Sequence, residues 1–290
     1  SLPMSAAAAA SPDAPACILY TISFSHFCDM ARWALELRGV RYNEYQYAPG
    51  LHRLAGIKKM RQATGKGDSH TTPLVSDASG RKILANESWE VFQLTSEGGA
   101  RSVSVDLKTP IPKDVKTMLN DKVARATRAI AYFHLTKEGK GAEALGRMIA
   151  GGAKLGWASS TALSLGFVRR YIIGRLAKHF GGEDDAKKSR TELNETLEVL
   201  AGKLKEGGIF FADEERKIPT MAAVATAALM YPLVWPPEIQ TVVYGKENYI
   251  PFDSLPSKLK EEIEFYRKTE IGKMTLDMYK NHRLNIPPPQ

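Results

Sequence analysis

Ser25 and Cys28 stand three residues apart in the stretch SFSHFC, the spacing of a CxxC redox pair whose first cysteine has become serine. In such a pair the first cysteine attacks as its thiolate, so its replacement argues against a disulfide oxidoreductase. Cys28 then reads as a small buried hydrophobe on the inner face of a helix, with a resolving or regulatory thiol as the alternative. Cys17, just before a strand, invites less chemistry. A serine hydroxyl at a helix start can cap the helix, or it can donate to an anion that the helix dipole also favours. Two cysteines in 290 residues rule out a disulfide scaffold and fit a reducing compartment. The six histidines do not fall at zinc-finger spacings from them, so no metal is expected.

Charge is the second chemical feature. The chain carries +8 at neutral pH, and residues 140–180, with seven basic side chains against one acidic, supply +6 of it. An excess confined to one stretch is a local face rather than a nucleic-acid footprint, and no zinc-finger or RNA-binding signature accompanies it. Within it, TALSLGFVRRYIIGRLAKHF (161–180) puts Leu165, Val168, Ile172, Leu176 and Phe180 on one stripe, with Arg169, Arg170, Arg175 and Lys178 largely outside it. This is a basic amphipathic helix whose stripe is most simply core; contact with a membrane surface or an acidic protein is the sharper reading. The glycine-rich lead-in AGGAKLGWASS is a candidate flap.

These residues need a scaffold, and 43% hydrophobic with 25% charged residues is the composition of a folded globular chain of about two domains. CILYTI (17–22) is a buried strand. Met30, Trp33, Ala34 and Leu37 follow helical spacing up to Gly39, a natural stop, and a second strand spans about 41–46. Strand, helix, strand is a βαβ unit. The loop GIKKMRQATGKGDSH leads to TTPLVSD, a strand entered through proline, with GRKILAN as its hairpin partner. NESWEVFQLTSE then opens a helix with Asn86 as N-cap. Beyond it the period is helical throughout, as in Leu193, Leu197, Leu200 and Leu204, or Ile263, Tyr266, Ile271, Met274 and Met278. The boundary falls between about Gly98 and Pro112. The uncharged run after Lys217 is broken by Pro232, Pro236 and Pro237, leaving about 12 helical residues, too few to span a bilayer.

The ordered set ILYTI, SFSHFC, TTPLV and NES, followed by an all-helical half, resembles a glutathione transferase, near the serine-type and omega-like classes. The resemblance covers nearly all of the chain after residue 16. It implies an α/β thioredoxin-like N-terminal domain (17–98) that binds glutathione, an all-α helical C-terminal domain (112–290), and a tail (1–16) outside the fold. That tail is read as an expression scar or the remnant of an organelle-targeting sequence, which places the protein in the cytoplasm or in an organelle.

The resemblance also assigns roles. Ser25 occupies the position of the hydroxyl that donates to the glutathione sulfur and lowers its pKa, with Ser23 as the alternative. Pro73 resembles the family's cis-proline, which presents the backbone of Thr72 to the cysteinyl part of the peptide. Thr72 departs from the usual valine or isoleucine, and Thr71 from the usual basic residue. Glu87 and Ser88 match the acidic-serine pair that holds the γ-glutamyl end, the serine and backbone N–H groups taking the carboxylate and the glutamate taking the amine. His52, Arg53 and Lys66 are candidates for the glycyl carboxylate. IPTMAAVA resembles the family's N-capping motif with Thr220 kept and its aspartate replaced by Ala223. The implied activity is conjugation of glutathione, as cosubstrate, to a small apolar electrophile by a homodimer. A scaffold protein of this fold without turnover, and a glutathione-dependent reductase using Cys28, are the alternatives.

Overall fold

A computed structural model describes residues 16–54, 56–96, 105–137, 139–151, 166–180, 182–213, 215, 217–239 and 250–283. The tail, the stretch around residue 100 and the glycine-rich lead-in at 152–160 thus lie outside or largely outside the described residues.

The first half builds one four-stranded sheet of order β2-β1-β3-β4, from β1 (Cys17–Ile22), β2 (Tyr42–Tyr47), β3 (Leu74–Asp77) and β4 (Ile83–Ala85). β2 runs parallel to β1, with Cys17 opposite Tyr42 and Ile22 opposite Tyr47. β3 is antiparallel to β1, and β4 antiparallel to β3. Helix α1 (His26–Leu37) makes the crossover between β1 and β2. Apart from Phe27, all of its residues are buried, because it is covered on one side by the sheet and on the other by helices. It ends where the sequence indicates, with Gly39 at φ 59°, a left-handed conformation that glycine adopts without strain.

Two local readings are corrected. The basic, glycine-containing stretch after residue 55 is not all loop: Ile57–Ala63 is a helix, α2, entered through Gly56 at φ 73°. Only Ile57 and Arg61 of α2 are buried, so no apolar stripe announces it. Helix α3 (Ser88–Ser96) begins two residues after Asn86, whose side chain does not cap it. Asn86 Oδ1 instead accepts from Arg61 Nε at 2.5 Å, and the Asn86 backbone N–H donates to Glu90.

The second half comprises α4 (Lys113–Thr117), a π turn (Met118–Val123), α5 (Ala124–Leu135), α6 (Lys140–Gly151), α7 (Gly166–Phe180), α8 (Glu183–Glu206), α9 (Met221–Val234), α10 (Ser257–Lys268) and α11 (Glu270–Asp277), the last followed by a π turn (Met278–His282). α9 is almost wholly buried and central, packing on α1, α5 and α11. Thr220 caps it, accepting from Ala222 N–H at 3.2 Å and donating to the Ile209 carbonyl at 2.5 Å. α9 runs two residues past Pro232, in the last turn. Among the described residues no helix is long and apolar enough to cross a membrane. On α7, Ile172 is buried and Val168, Leu176 and Phe180 partly so, while Phe167, Tyr171, Arg170, Arg175 and Lys178 are exposed.

The last described residues are anchored in the first half. Arg283, fully buried, bridges Asp29 at 3.0 Å and Glu36 at 2.8 Å on α1 and lies over the Trp33 ring. Tyr279 donates to Asp29 at 2.5 Å, and Tyr42 to Glu36 at 3.0 Å. Arg32, also on α1, pairs with Glu44 of β2 at 2.7 Å. Two carboxylates thus share Arg283. Burial pushes the Glu36 carboxyl up to about 7, with Arg283 opposing the rise and Asp29 adding to it. A carboxyl raised on folding stabilises the fold below its unfolded pKa and loses that contribution as pH climbs through the folded value. Stability should therefore fall between about pH 4.5 and 7 by as much as about 3 kcal/mol, at 1.36 kcal/mol per pKa unit. Glu36→Gln should flatten that slope in urea unfolding followed from pH 4.5 to 8; an unchanged slope would place its source elsewhere.

Candidate functional site

The sheet register brings three separated motifs to one end. β1 finishes at Ile22 and leads into Ser25; antiparallel β3 starts there, with Leu74 opposite Tyr20; and β4 returns to it, with Ala85 opposite Val75. Ser25, Thr72–Pro73 and Glu87–Ser88 therefore emerge from the same sheet edge. The loop after β2, with His52 and Arg53, leaves from that edge as well.

Ser25 precedes α1 as its N-cap residue in an extended conformation, φ −81° and ψ 122°, and its side chain makes no capping hydrogen bond. The hydroxyl caps no backbone N–H and lies within hydrogen-bond reach of the Cys28 sulfur one turn on, and the N–H groups of the first turn point the same way. Ser23, by contrast, is buried beneath the turn, its carbonyl accepting from Arg32 at 3.1 Å. The Phe24 carbonyl between them accepts from the Tyr231 hydroxyl of α9. The helical half therefore fixes the backbone immediately before Ser25.

Cys28 is wholly buried. Its sulfur accepts from the Ile22 N–H at 3.4 Å and its thiol donates to Thr72 Oγ1 at 3.7 Å, which ties the SFSHFC turn to the TTP turn. Burial pushes the Cys28 thiol up, opposed by Arg32 and by the Ser25 and Thr72 hydroxyls. Burial pushes Cys17 up to about 12. Both thiols are therefore protonated at neutral pH and closed to solvent.

The Thr72–Pro73 peptide is cis, and Pro73 is buried while Thr72 is partly accessible. Ser88 is buried at the first turn of α3, and Glu87 is exposed beside it. Arg61 holds these two segments together. The residue is 1% exposed, and its guanidinium donates to Asn86 Oδ1, to the Asn86 carbonyl at 2.9 Å and to the Ser69 carbonyl at 2.8 Å. Sequence reasoning left Arg61 in a loop and missed it; nothing local marks it, because its partners come from two other segments. Of the candidates for the glycyl carboxylate, Arg53 and Lys66 are exposed, whereas His52 is partly buried and accepts from the Gly50 N–H at 3.1 Å.

On the side facing the helices, Phe24 and His26 border a cavity completed by Arg128, Ala131, Tyr132 and Leu135 of α5, Met148 of α6, and Tyr231, Pro232 and Trp235 at the end of α9. This apolar wall with one cation lies against the residues flanking Ser25.

No family model and no curated protein sequence matches the chain. Solved structures do. The glutathione S-transferase of Ceriporiopsis subvermispora, solved in complex with glutathione, superposes with a TM-score of 0.51 at 14% identity, over 94% of this chain and 99% of that one. The glutathione transferase GSTFuA3 of Phanerochaete chrysosporium gives 0.50 at 15% identity, over 94% and 100%, and GSTFuA2 of the same fungus 0.50 at 14%, over 93% and 99%. The chain has the glutathione-transferase fold: a thioredoxin-like α/β half followed by a helical one.

Proposed function

We propose that this protein binds glutathione and transfers it, as the thiolate, to an electrophile with an apolar body. The reading rests on one observation above the others, the convergence of Ser25, the cis Thr72–Pro73 peptide and Glu87–Ser88 on a single sheet edge. In this reading the γ-glutamyl carboxylate is taken by Ser88 and the α3 N-terminus, the γ-glutamyl amine by Glu87, and the cysteinyl backbone by Thr72. Ser25 then donates to the sulfur. The segment 17–98 serves as the glutathione-binding domain and 112–290 as the helical domain that completes the electrophile site. A homodimer working in detoxification in the cytoplasm or an organelle is the matching biology. The exposed Phe167 and Tyr171 beside Arg170, Arg175 and Lys178 support contact between α7 and an anionic surface.

The burial and protonation of Cys28 weigh against a thiol reductase. The experiment is conjugation of glutathione to a chlorinated nitroarene, followed by absorbance, for the native chain and for Cys28→Ala. Turnover within about threefold of the native rate is expected for Cys28→Ala, since the thiol is closed off from solvent and from anything bound there. Abolished turnover would make Cys28 the working group and a reductase the better reading. A native chain that binds glutathione without turnover would favour the scaffold alternative.

A further inference from the structure

The cavity beside Ser25 contains polar atoms that its protein surroundings leave unpaired. His26 is 2% exposed, and its Nε2 lacks a hydrogen-bond partner; Trp235 is equally buried, and its indole Nε1–H is likewise unmatched. Buried polar groups left without partners are costly and few in folded proteins, so two lining one cavity call for an explanation. The third group is Arg128. Its Nε donates to the Ala124 carbonyl at 3.2 Å, and its guanidinium lies between the Phe27 and Phe180 rings, at 5.5 and 5.7 Å from their centroids. Among the described residues no carboxylate pairs with it. Burial, reinforced by the Arg128 charge, holds the His26 imidazole well below its ordinary range, so His26 is neutral and Arg128 is the cation of the cavity.

Trp235 is held there at a cost. It is the one non-glycine residue with positive φ among the described residues, at φ 48° and ψ 60°. Such a conformation costs on the order of 1 to 3 kcal/mol and persists only where the surroundings enforce it. Here Arg267 enforces it, donating to the Val234 carbonyl at 2.7 Å and to the Trp235 carbonyl at 2.7 Å. The residue held in this way is one of those lining the cavity. The cavity holds about 20 Å³, room for one small polar group and not for a whole substrate.

We propose that this cavity is an acceptor subsite that takes the carboxylate of the second substrate, bound by Arg128, His26 Nε2 and the Trp235 indole N–H. The remainder of that substrate, an apolar or aromatic body, extends outward from the cavity, which has no room for it. The inference deepens the transferase reading and rests on it for calling the ligand a substrate: an aromatic acid replaces the plain apolar electrophile. Binding itself does not depend on turnover, which keeps the two claims separable.

The test is a calorimetric titration of the full chain with benzoate and with benzamide, which share a shape and differ in charge, in the presence and absence of glutathione. Benzoate should bind the native chain at least tenfold more tightly than benzamide. Arg128→Gln should bring the two ligands to within about twofold of each other. Trp235→Phe, which keeps the ring and removes the N–H, should reduce the preference about threefold to tenfold, with the melting temperature checking that each variant folds. Equal binding of the two ligands to the native chain, no binding of either, or a preference untouched by both substitutions would overturn the proposal and mark the cavity as a site for a buried water. Arg128-dependent benzoate binding without glutathione conjugation would leave this subsite standing and remove the transferase reading. Conjugation of a neutral nitroarene without any benzoate preference would do the reverse.

Discussion

Arg283→Ala should destabilise the protein by about 3–5 kcal/mol, the cost of removing one partner from a buried ion pair. The substitution leaves Asp29 and Glu36 in the interior of α1 with no cation between them, since Arg32 is engaged by Glu44 at 2.7 Å. It also strips the guanidinium from the face of Trp33. The loss is not simply that of one contact. Tyr279 still donates to Asp29 and Tyr42 to Glu36, but hydroxyls cannot neutralise two carboxylates. Glu36→Gln in the Arg283→Ala background should therefore recover a substantial part of the loss measured above about pH 7, where Glu36 is otherwise forced to ionise without its cation. Urea unfolding of the single and double variants measures both. If Arg283→Ala costs less than about 1 kcal/mol, or the double variant recovers nothing, the bridge is not what fixes the last described residues to α1. Because α1 carries Ser25 at its start, loosening this anchor should also weaken glutathione binding.

Ser25→Ala should lower kcat/KM for conjugation near pH 6.5 by about 100-fold, while leaving glutathione affinity within a few fold. A free thiol of this kind has a pKa of about 8.5 and is almost entirely protonated at that pH. A hydroxyl donating to the sulfur and the N-terminus of α1 together favour the thiolate; a two-unit reduction corresponds to roughly 2.7 kcal/mol. Since Ser25 caps no backbone N–H, its removal should leave α1 folded, the one structural loss being its hydrogen bond to the buried Cys28 sulfur. The diagnostic readout is the pH profile of kcat/KM, whose apparent pKa should move up by one to two units in Ser25→Ala. A profile unchanged by the substitution would reject the role assigned to Ser25.

The parts of this structure legible in the sequence are those set by local pattern. β1, α1 with its glycine stop, the β3–β4 hairpin and the Leu193–Leu204 stripe all follow from residue spacing, and Thr220 caps α9 despite Ala223 in place of the aspartate. What escaped are features made by distant segments. α2 has no apolar stripe, because its main buried side chain is an arginine whose partners lie at Ser69 and Asn86. The same interaction takes the Asn86 side chain away from the α3 cap that local propensity assigns to it. Pro232 looks like a stop in the sequence, and α9 runs only two residues beyond it, to Val234: the proline forfeits the N–H that would bond the Ala228 carbonyl, and the helix ends within that turn. Arg283 and Arg128 look like ordinary solvent-facing cations in sequence. Only the fold puts one between two buried carboxylates and the other between two rings beside the site.

The central claim is that the sheet edge uniting Ser25, Thr72–Pro73 and Glu87–Ser88 is a glutathione site, and a calorimetric titration of the chain with glutathione tests it most directly. The predicted result is saturable binding with Kd below about 1 mM, at least −4 kcal/mol, weakened tenfold or more by Ser88→Ala. No binding at millimolar glutathione, or binding indifferent to Ser88, would contradict it.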